Sequence, residues 1–178
     1  MAIRKLEHLE IPRLLPDELK TKKRHPVLLL LHNIRSAHNV GSALRTADGA
    51  FIQEVLISGF TPTPDHKSVY KTSLGAQDFV PWRLLPDPKE YLQELKLSGY
   101  TVAALELTDR PTPIENLQPS SFPMCLIAGN EVDGVDESLM GMCDFAFEIP
   151  QYGAKQSLNV SVAVGIVLFD LIRQFRSF

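Results

Sequence analysis

Cysteine is scarce in this chain, with only Cys125 and Cys143 among 178 residues. The two form no CxxC pair and have no histidine cluster beside them, which disfavours both a disulfide scaffold and a zinc site. They read as buried apolar residues of a reducing compartment. Long apolar runs are also missing, since none approaches the ~20 residues of a membrane helix. The opening stretch MAIRKLEHLEIPRLLPDELK carries charges throughout and lacks the apolar segment and cleavage site of a secretory leader. A cytoplasmic location is the resulting expectation. No large charge of one sign is present either: the net charge is −3 and the pI about 5.9, which excludes binding of nucleic acid by bulk basicity. Local clusters remain, chiefly KTKKRH at 20–25, whose Lys22, Lys23 and Arg24 serve either as a solvated linker or as phosphate contacts. Two glycine signatures, GxGxxG after the first strand and GxxxxGK[ST], are absent. A dinucleotide-dependent oxidoreductase and a P-loop enzyme therefore lose their best support. No nucleophile elbow and no metal-ligand spacing competes, so no metal is expected.

What is present is the composition of one globular domain, 44% hydrophobic and 22% charged. Residues 1–25 read as an N-terminal extension with a short helix near PDELKTK, and residues 26–178 as the domain. Strand and helix signals alternate along it. VLLLLH (27–32) is a fully buried strand and VGSALRTADGAF (40–51) a helix with Asn39 as its cap. EVLISGF, FVPWRL, YTVAALEL, PMCLIAG and FAFEIP follow as strands, and a helix over PKEYLQELKLSG closes on Gly99. Alternation with near-continuous apolar strands predicts an α/β fold, a mostly parallel sheet with helices on both faces. Such sheets bind ligands at the carboxyl ends of their strands. Three polar, glycine-containing loops lie at that end: NIRSAHNVG, GNEVDG and PQYGAKQSLN. The last helix, roughly 157–175, is apolar around almost its whole circumference, which one sheet face cannot absorb. Burial within the monomer is one solution; a two-fold dimer through this helix is the favoured one.

Taken singly, each loop has a plain structural explanation. Asn39 and Ser157 suit helix caps, Arg45 an exposed helix position, and Gly129 and Gly134 the dihedrals of a turn. Together they suggest one composite site. Helix N-termini behind Asn39 and Ser157 offer unpaired N–H groups to an anion. Backbone at Ile127, Ala128, Gly129 and Asn130, and around Ile149 and Gln151, could take an adenine edge, with Ile127, Ile149 and Leu158 as apolar walls. Residue chemistry alone reaches an α/β ligand-binding dimer, a transferase among the candidates.

Three segments, NIRSAHNVGSALRTAD, LIAGNEVDGVDESLMGMCD and IPQYGAKQSLNVSVAVGIVLFDL, resemble in order and spacing the three motifs of the SpoU-TrmH family of RNA ribose methyltransferases. KTSLGAQDFVPW is similar to the segment between the first two. The resemblance covers about residues 27–175 and implies a SPOUT α/β fold with a C-terminal deep trefoil knot. It further implies a homodimer, S-adenosylmethionine as methyl donor, and a ribose 2′-hydroxyl of transfer or ribosomal RNA as acceptor. By position, Asn39 and Arg45 match the family's motif-one Asn and catalytic Arg, Glu131 its motif-two acid, and Ser157 and Asn159 its motif-three pair. Gly129, Ile149 and Leu158 match positions lining its adenosine pocket. A non-catalytic RNA-binding dimer on the same fold is the alternative.

The implied chemistry suits these residue types. Methyl transfer to an alcohol needs in-line alignment and loss of the hydroxyl proton. Arg45 would hold an RNA phosphate and favour negative charge on the oxygen. A free guanidinium resists deprotonation and is a poor general base. Glu131 is expected to orient Asn39 and Arg45, and Ser157 and Asn159 to position Arg45 or the ribose. Arg35 is a further RNA contact or plain surface charge. The short extension tilts the substrate expectation toward transfer RNA.

Overall fold

The computed structural model describes residues 3–12 and 14–178. Its frame is a six-stranded sheet in the order β3-β2-β1-β5-β4-β6, and all five neighbouring pairs run parallel. The strands are β1 (His25–His32), β2 (Ile52–Ser58), β3 (Trp82–Leu85), β4 (Thr101–Leu105), β5 (Met124–Ala128) and β6 (Phe145–Phe147). Among the described residues six α-helices accompany them: α1 (Pro16–Thr21), α2 (Ala37–Gly49), α3 (Lys67–Ser73), α4 (Pro88–Leu97), α5 (Glu137–Met140) and α6 (Val160–Phe175).

The strands read as unbroken apolar runs because both faces of the sheet are covered. In β1, Val27, Leu29 and Leu31 join a core shared with α2, α3 and α6. Leu28 and Leu30 turn the other way, into a core shared with α4 and α5. Each such buried leucine contributes about 1.5–3 kcal/mol of transfer free energy. Cys125 lies inside the second core and burial pushes its thiol up. Cys143 is half-buried, donates to the Leu139 carbonyl, and has its thiol raised to about 11 mainly by burial.

Sheet order fixes where a ligand can sit. From β1 the chain winds outward through β2 and β3, then crosses to the other half, where β5 lies between β1 and β4. Strand order therefore reverses between β1 and β5. The loops after these two strands meet over the carboxyl edge, the position where open α/β sheets form their crevice.

Helix starts differ from expectation in an informative way. Ser36, not Asn39, caps α2: its side chain accepts from the Asn39 amide at 3.4 Å, and the helix begins at Ala37. Asn159, not Ser157, caps α6 by accepting from the Ser161 amide at 2.9 Å. Both shifts leave asparagine side-chain atoms over the carboxyl edge. Asp87 caps α4 by accepting from the amides of Lys89 and Glu90 ahead of Pro88, and the helix ends before Gly99 at φ +85, the closure expected there.

Candidate active site

Asn39 is the junction of the three loops. Its Nδ2 donates to Glu131 Oε1 at 2.8 Å, and its Oδ1 accepts from Asn159 Nδ2 at 3.0 Å. One residue from each expected motif thus meets the others. Glu131 also accepts from the Arg35 amide at 2.9 Å and the Ser36 amide at 3.1 Å, so it closes the amino end of α2 against the loop after β5. Partial burial works against its charge, but these hydrogen bonds outweigh it and hold the carboxyl below its usual range. Asn159 Oδ1 accepts from both the amide and the hydroxyl of Ser161, at 2.9 and 2.7 Å. With every acceptor engaged, the two amide groups have one orientation.

The loop after β5 is a closed hairpin. Asn130 and Gly134 exchange backbone hydrogen bonds of 2.9 and 3.0 Å. Asn130 Oδ1 accepts from the amides of Val132 and Asp133, and its Nδ2 donates to the Asn33 carbonyl at 2.8 Å. A second polar group lies beneath. Buried His32 reaches Ser58 Oγ with Nδ1 at 2.7 Å and Asp136 Oδ2 with Nε2 at 2.8 Å. It ties the end of β1 to β2 and to the start of α5.

Beside this junction is a cavity of about 390 Å³, in the range of small-molecule sites, roughly 300–1,000 Å³. Of the expected residues, Gly129, Asn130, Glu131, Ile149, Gln151, Ser157, Leu158 and Asn159 line it. Ile127 and Ala128 do not line it; both are fully buried in β5, Ile127 in the core on the α4 side. Residues that sequence reasoning missed include Leu105, Glu106 and Leu107 after β4, and Phe147 in β6. The carboxyl-edge rule applied to every strand would have found them. Glu106 accepts from the amides of Leu107 and Val135, at 2.9 and 3.0 Å. The wall therefore combines apolar side chains with Glu106, Glu131 and Glu148, and no lysine or arginine lines it.

Arg45 is placed elsewhere than expected. It is exposed and, among the described residues, makes no hydrogen bond or ion pair. Six residues beyond Asn39, it stands about 9 Å further along α2. It shares the outward stripe of His38, Ser42 and Gly49 rather than the cavity wall. Glu131 and Asn159 thus converge on Asn39 and not on Arg45, and Ser157 is exposed without a hydrogen bond among the described residues. Arg35 is exposed near the junction. Lys22, Lys23 and Arg24 are not brought to it at all. They lie at the amino edge of the sheet, where Arg24 covers the Phe51 ring at 4.5 Å and donates to the carbonyls of Ile52 and Phe79, at 3.2 and 2.6 Å. Lys22 and Lys23 line a separate hollow there. Among the described residues no group of His, Cys, Asp and Glu side chains forms a metal set, and no helix is long and apolar enough to cross a membrane.

Comparison with known proteins agrees with the geometry. The model of the SpoU rRNA Methylase family matches residues 26–169. The tRNA (guanosine(18)-2′-O)-methyltransferase of Thermus thermophilus is 32% identical over 168 residues, covering 94% of this chain and 85% of that protein. The TrmH/SpoU tRNA modifying enzyme of A. aeolicus superposes with a TM-score of 0.79 at 27% identity, over 90% of this chain and 84% of that one. The AdoMet-bound rRNA methyltransferase of Sinorhizobium meliloti gives a TM-score of 0.77 at 25% identity, over 87% of this chain and 59% of that one.

Proposed function

This chain belongs to the SpoU rRNA methylase family and is an S-adenosylmethionine-dependent RNA ribose-2′-O-methyltransferase, and we propose that its substrate is transfer RNA. The observation that carries the mechanism is the Asn39–Glu131–Asn159 junction beside the carboxyl-edge cavity. The choice of transfer RNA follows the named activity of the Thermus thermophilus relative, which aligns with 94% of the chain. A cytoplasmic location follows from that pair of substrates, and residues 26–178 constitute the catalytic domain.

The cavity fits the donor. Leu105, Leu107, Phe147, Ile149 and Leu158 form apolar walls for an adenine ring, with Gly129 lining the same cavity. The carboxylates of Glu106, Glu131 and Glu148 suit a ligand bearing an ammonium and a sulfonium. When bound, S-adenosylmethionine supplies a methyl carbon activated by its sulfonium. The chain supplies alignment: Asn39 and Asn159, held in one orientation, present fixed polar atoms at the cavity mouth, where a ribose must enter. Ionised Glu131 holds that mouth together. Arg45 binds the phosphate beside the acceptor ribose and stabilises negative charge on the 2′-oxygen as its proton leaves to phosphate or water. Its role is electrostatic, through charge and hydrogen bonds to the phosphate. Arg35 adds a phosphate contact nearby, and Lys22 and Lys23 a remote one at the amino edge.

The active unit is a homodimer through α6. Val162, Ile166 and Phe169 form one helical stripe and are 50%, 40% and 52% exposed, although the opposite side of the helix is buried. Phe169 borders Gly49 on α2, so the apolar stripe is continuous with the outward stripe that carries Arg45. Pairing across this surface brings Arg45 to the rim of a subunit boundary, where it stays open to RNA. In the same fold, the return of the chain from β6 at the sheet edge to α6 over α2 forms the trefoil knot. Replacing Ile166 and Phe169 with aspartate is expected to give a monomer by sedimentation and to abolish turnover; a dimer of the double variant would move the interface elsewhere.

Labelled S-adenosylmethionine with unfractionated transfer RNA and, separately, ribosomal RNA tests the substrate. The expected result is one alkali-resistant 2′-O-methylated linkage in transfer RNA. Transfer confined to ribosomal RNA would overturn the choice.

A further inference from the structure

The carboxyl edge of the sheet is divided chemically. Over β4, β5 and β6 it is the acidic, apolar-walled donor cavity. Over β2, on the other side of the Asn39 junction, it carries an aromatic ring and unpaired cations. Phe60 is 61% exposed, a large apolar side chain in water, yet its backbone is among the more constrained in the molecule. The Phe60 amide donates to Asn33 Oδ1 at 3.3 Å. Asn33 itself adopts φ +56, and Gly59 before the ring adopts φ +64. A Cβ on Gly59 would lie 1.8 Å from Asn33 Oδ1, so the two left-handed residues interlock. On the following side, Thr61 is buried, accepts from the Ile34 amide at 3.0 Å and donates to the Leu31 carbonyl at 3.1 Å. A left-handed non-glycine residue such as Asn33 is costly and persists where the surroundings over-determine it. Here the outcome is a phenyl ring held out into solvent, anchored to the loop whose next residues, Arg35 and Ser36, hold Glu131.

The charges around it match a polyanion. Beyond the buried turn, α3 presents Lys67, Tyr70 and Lys71 on its exposed side, because Val69 and Thr72 pack toward Gly41 of α2. Lys67, Lys71 and Arg35 are exposed and make no ion pair among the described residues. An exposed aromatic among free cations is the composition of a single-stranded nucleic-acid platform, where bases stack and lysines follow the phosphates.

We infer that Phe60 is the stacking platform for an unpaired base of the RNA next to the nucleotide being methylated, with Lys67 and Lys71 holding the strand beyond it. This rests on the reading of the site as an RNA ribose methyltransferase. Stacking would splay the neighbouring nucleotide and so turn the acceptor ribose toward Asn39 and the donor cavity. It also implies a requirement for single-stranded or opened RNA, since a base within a helix has no free face.

The test uses the full chain, unfractionated transfer RNA and five variants. Phe60→Ala is expected to weaken RNA binding roughly tenfold to a hundredfold. Its melting temperature and its affinity for S-adenosylmethionine should stay at the wild-type values. Phe60→Leu, which keeps apolar bulk without a ring face, should behave like alanine, whereas Phe60→Trp should bind as tightly as wild type and be quenched by RNA. Lys67→Ala and Lys71→Ala should each lower the salt dependence of binding by about one single-strand phosphate, while Phe60→Ala leaves the slope unchanged. RNA affinity of Phe60→Ala within twofold of wild type, or full affinity with leucine, overturns the inference while wild type still methylates RNA. Absence of methyl transfer by wild type to any RNA would instead overturn the underlying reading, and the inference with it.

Discussion

Arg45→Ala is expected to reduce methyl transfer by about 10²–10³-fold in kcat/KM, the loss typical of removing one preorganised stabiliser of developing negative charge. The structure makes the outcome separable from stability. Arg45 is exposed and without a partner among the described residues, so its removal leaves no buried charge and no broken cap. Substitutions of that kind usually change stability by no more than about 0.5 kcal/mol. Dimer formation and binding of S-adenosylmethionine by calorimetry should therefore match wild type. Arg45→Lys distinguishes charge from geometry. A compact ammonium retains attraction to phosphate but cannot make the paired contacts of a guanidinium, so only partial recovery is expected. Wild-type turnover by the alanine variant would remove Arg45 from the mechanism. A loss of donor binding would show instead that it acts inside the cavity.

Local elements were legible in the sequence and the contacts between them were not, which is a matter of distance. The strands were readable because β1 carries apolar residues facing both cores, and helices α2, α4 and α6 because their periodicity and small polar starts are local signals. The clustering of three loops at one edge followed from strand direction. The caps were misplaced by a few residues because Ser36 and Asn39, or Ser157 and Asn159, are both acceptable caps. Only tertiary contact decides: Asn39 is freed from capping and held by Glu131 and Asn159, whereas Asn159 both caps α6 and donates to Asn39. Glu131 as an anchor of the Arg35 and Ser36 amides is likewise a contact across 95 or more residues, with no local trace. The basic run before β1 shows the same limit: composition left Arg24 open as linker or phosphate contact, whereas the fold engages it with two carbonyls and the Phe51 ring.

Gly129→Ala is expected to abolish donor binding, with affinity for S-adenosylmethionine falling more than about a hundredfold, and to lower thermal stability. A Cβ at this position would lie 2.2 Å from the Gly134 carbonyl oxygen, 2.3 Å from its carbon and 2.4 Å from the Val135 nitrogen. All three are backbone atoms, so no side-chain rotation relieves the clash. The hairpin 130–134 must move as a body, and it is tied on every side: to itself through Asn130 and Gly134, and to the Asn33 carbonyl through Asn130 Nδ2. Overpacking of this kind costs about 1–3 kcal/mol or more. In a domain of this size that corresponds to a fall in melting temperature of roughly 2–12 °C. The functional loss exceeds the stability loss because Gly129, Asn130 and Glu131 line the donor cavity, and Glu131 leaves Asn39 when the hairpin shifts. Gly141→Ala is the matched control. It sits at φ −62 with its nearest neighbour, the Glu137 carbonyl, 3.6 Å from an added Cβ, so it should leave both readouts unchanged. If Gly129→Ala binds the donor like the control, the cavity is not held by this hairpin, and the close approach of β5 to Gly134 has no functional consequence.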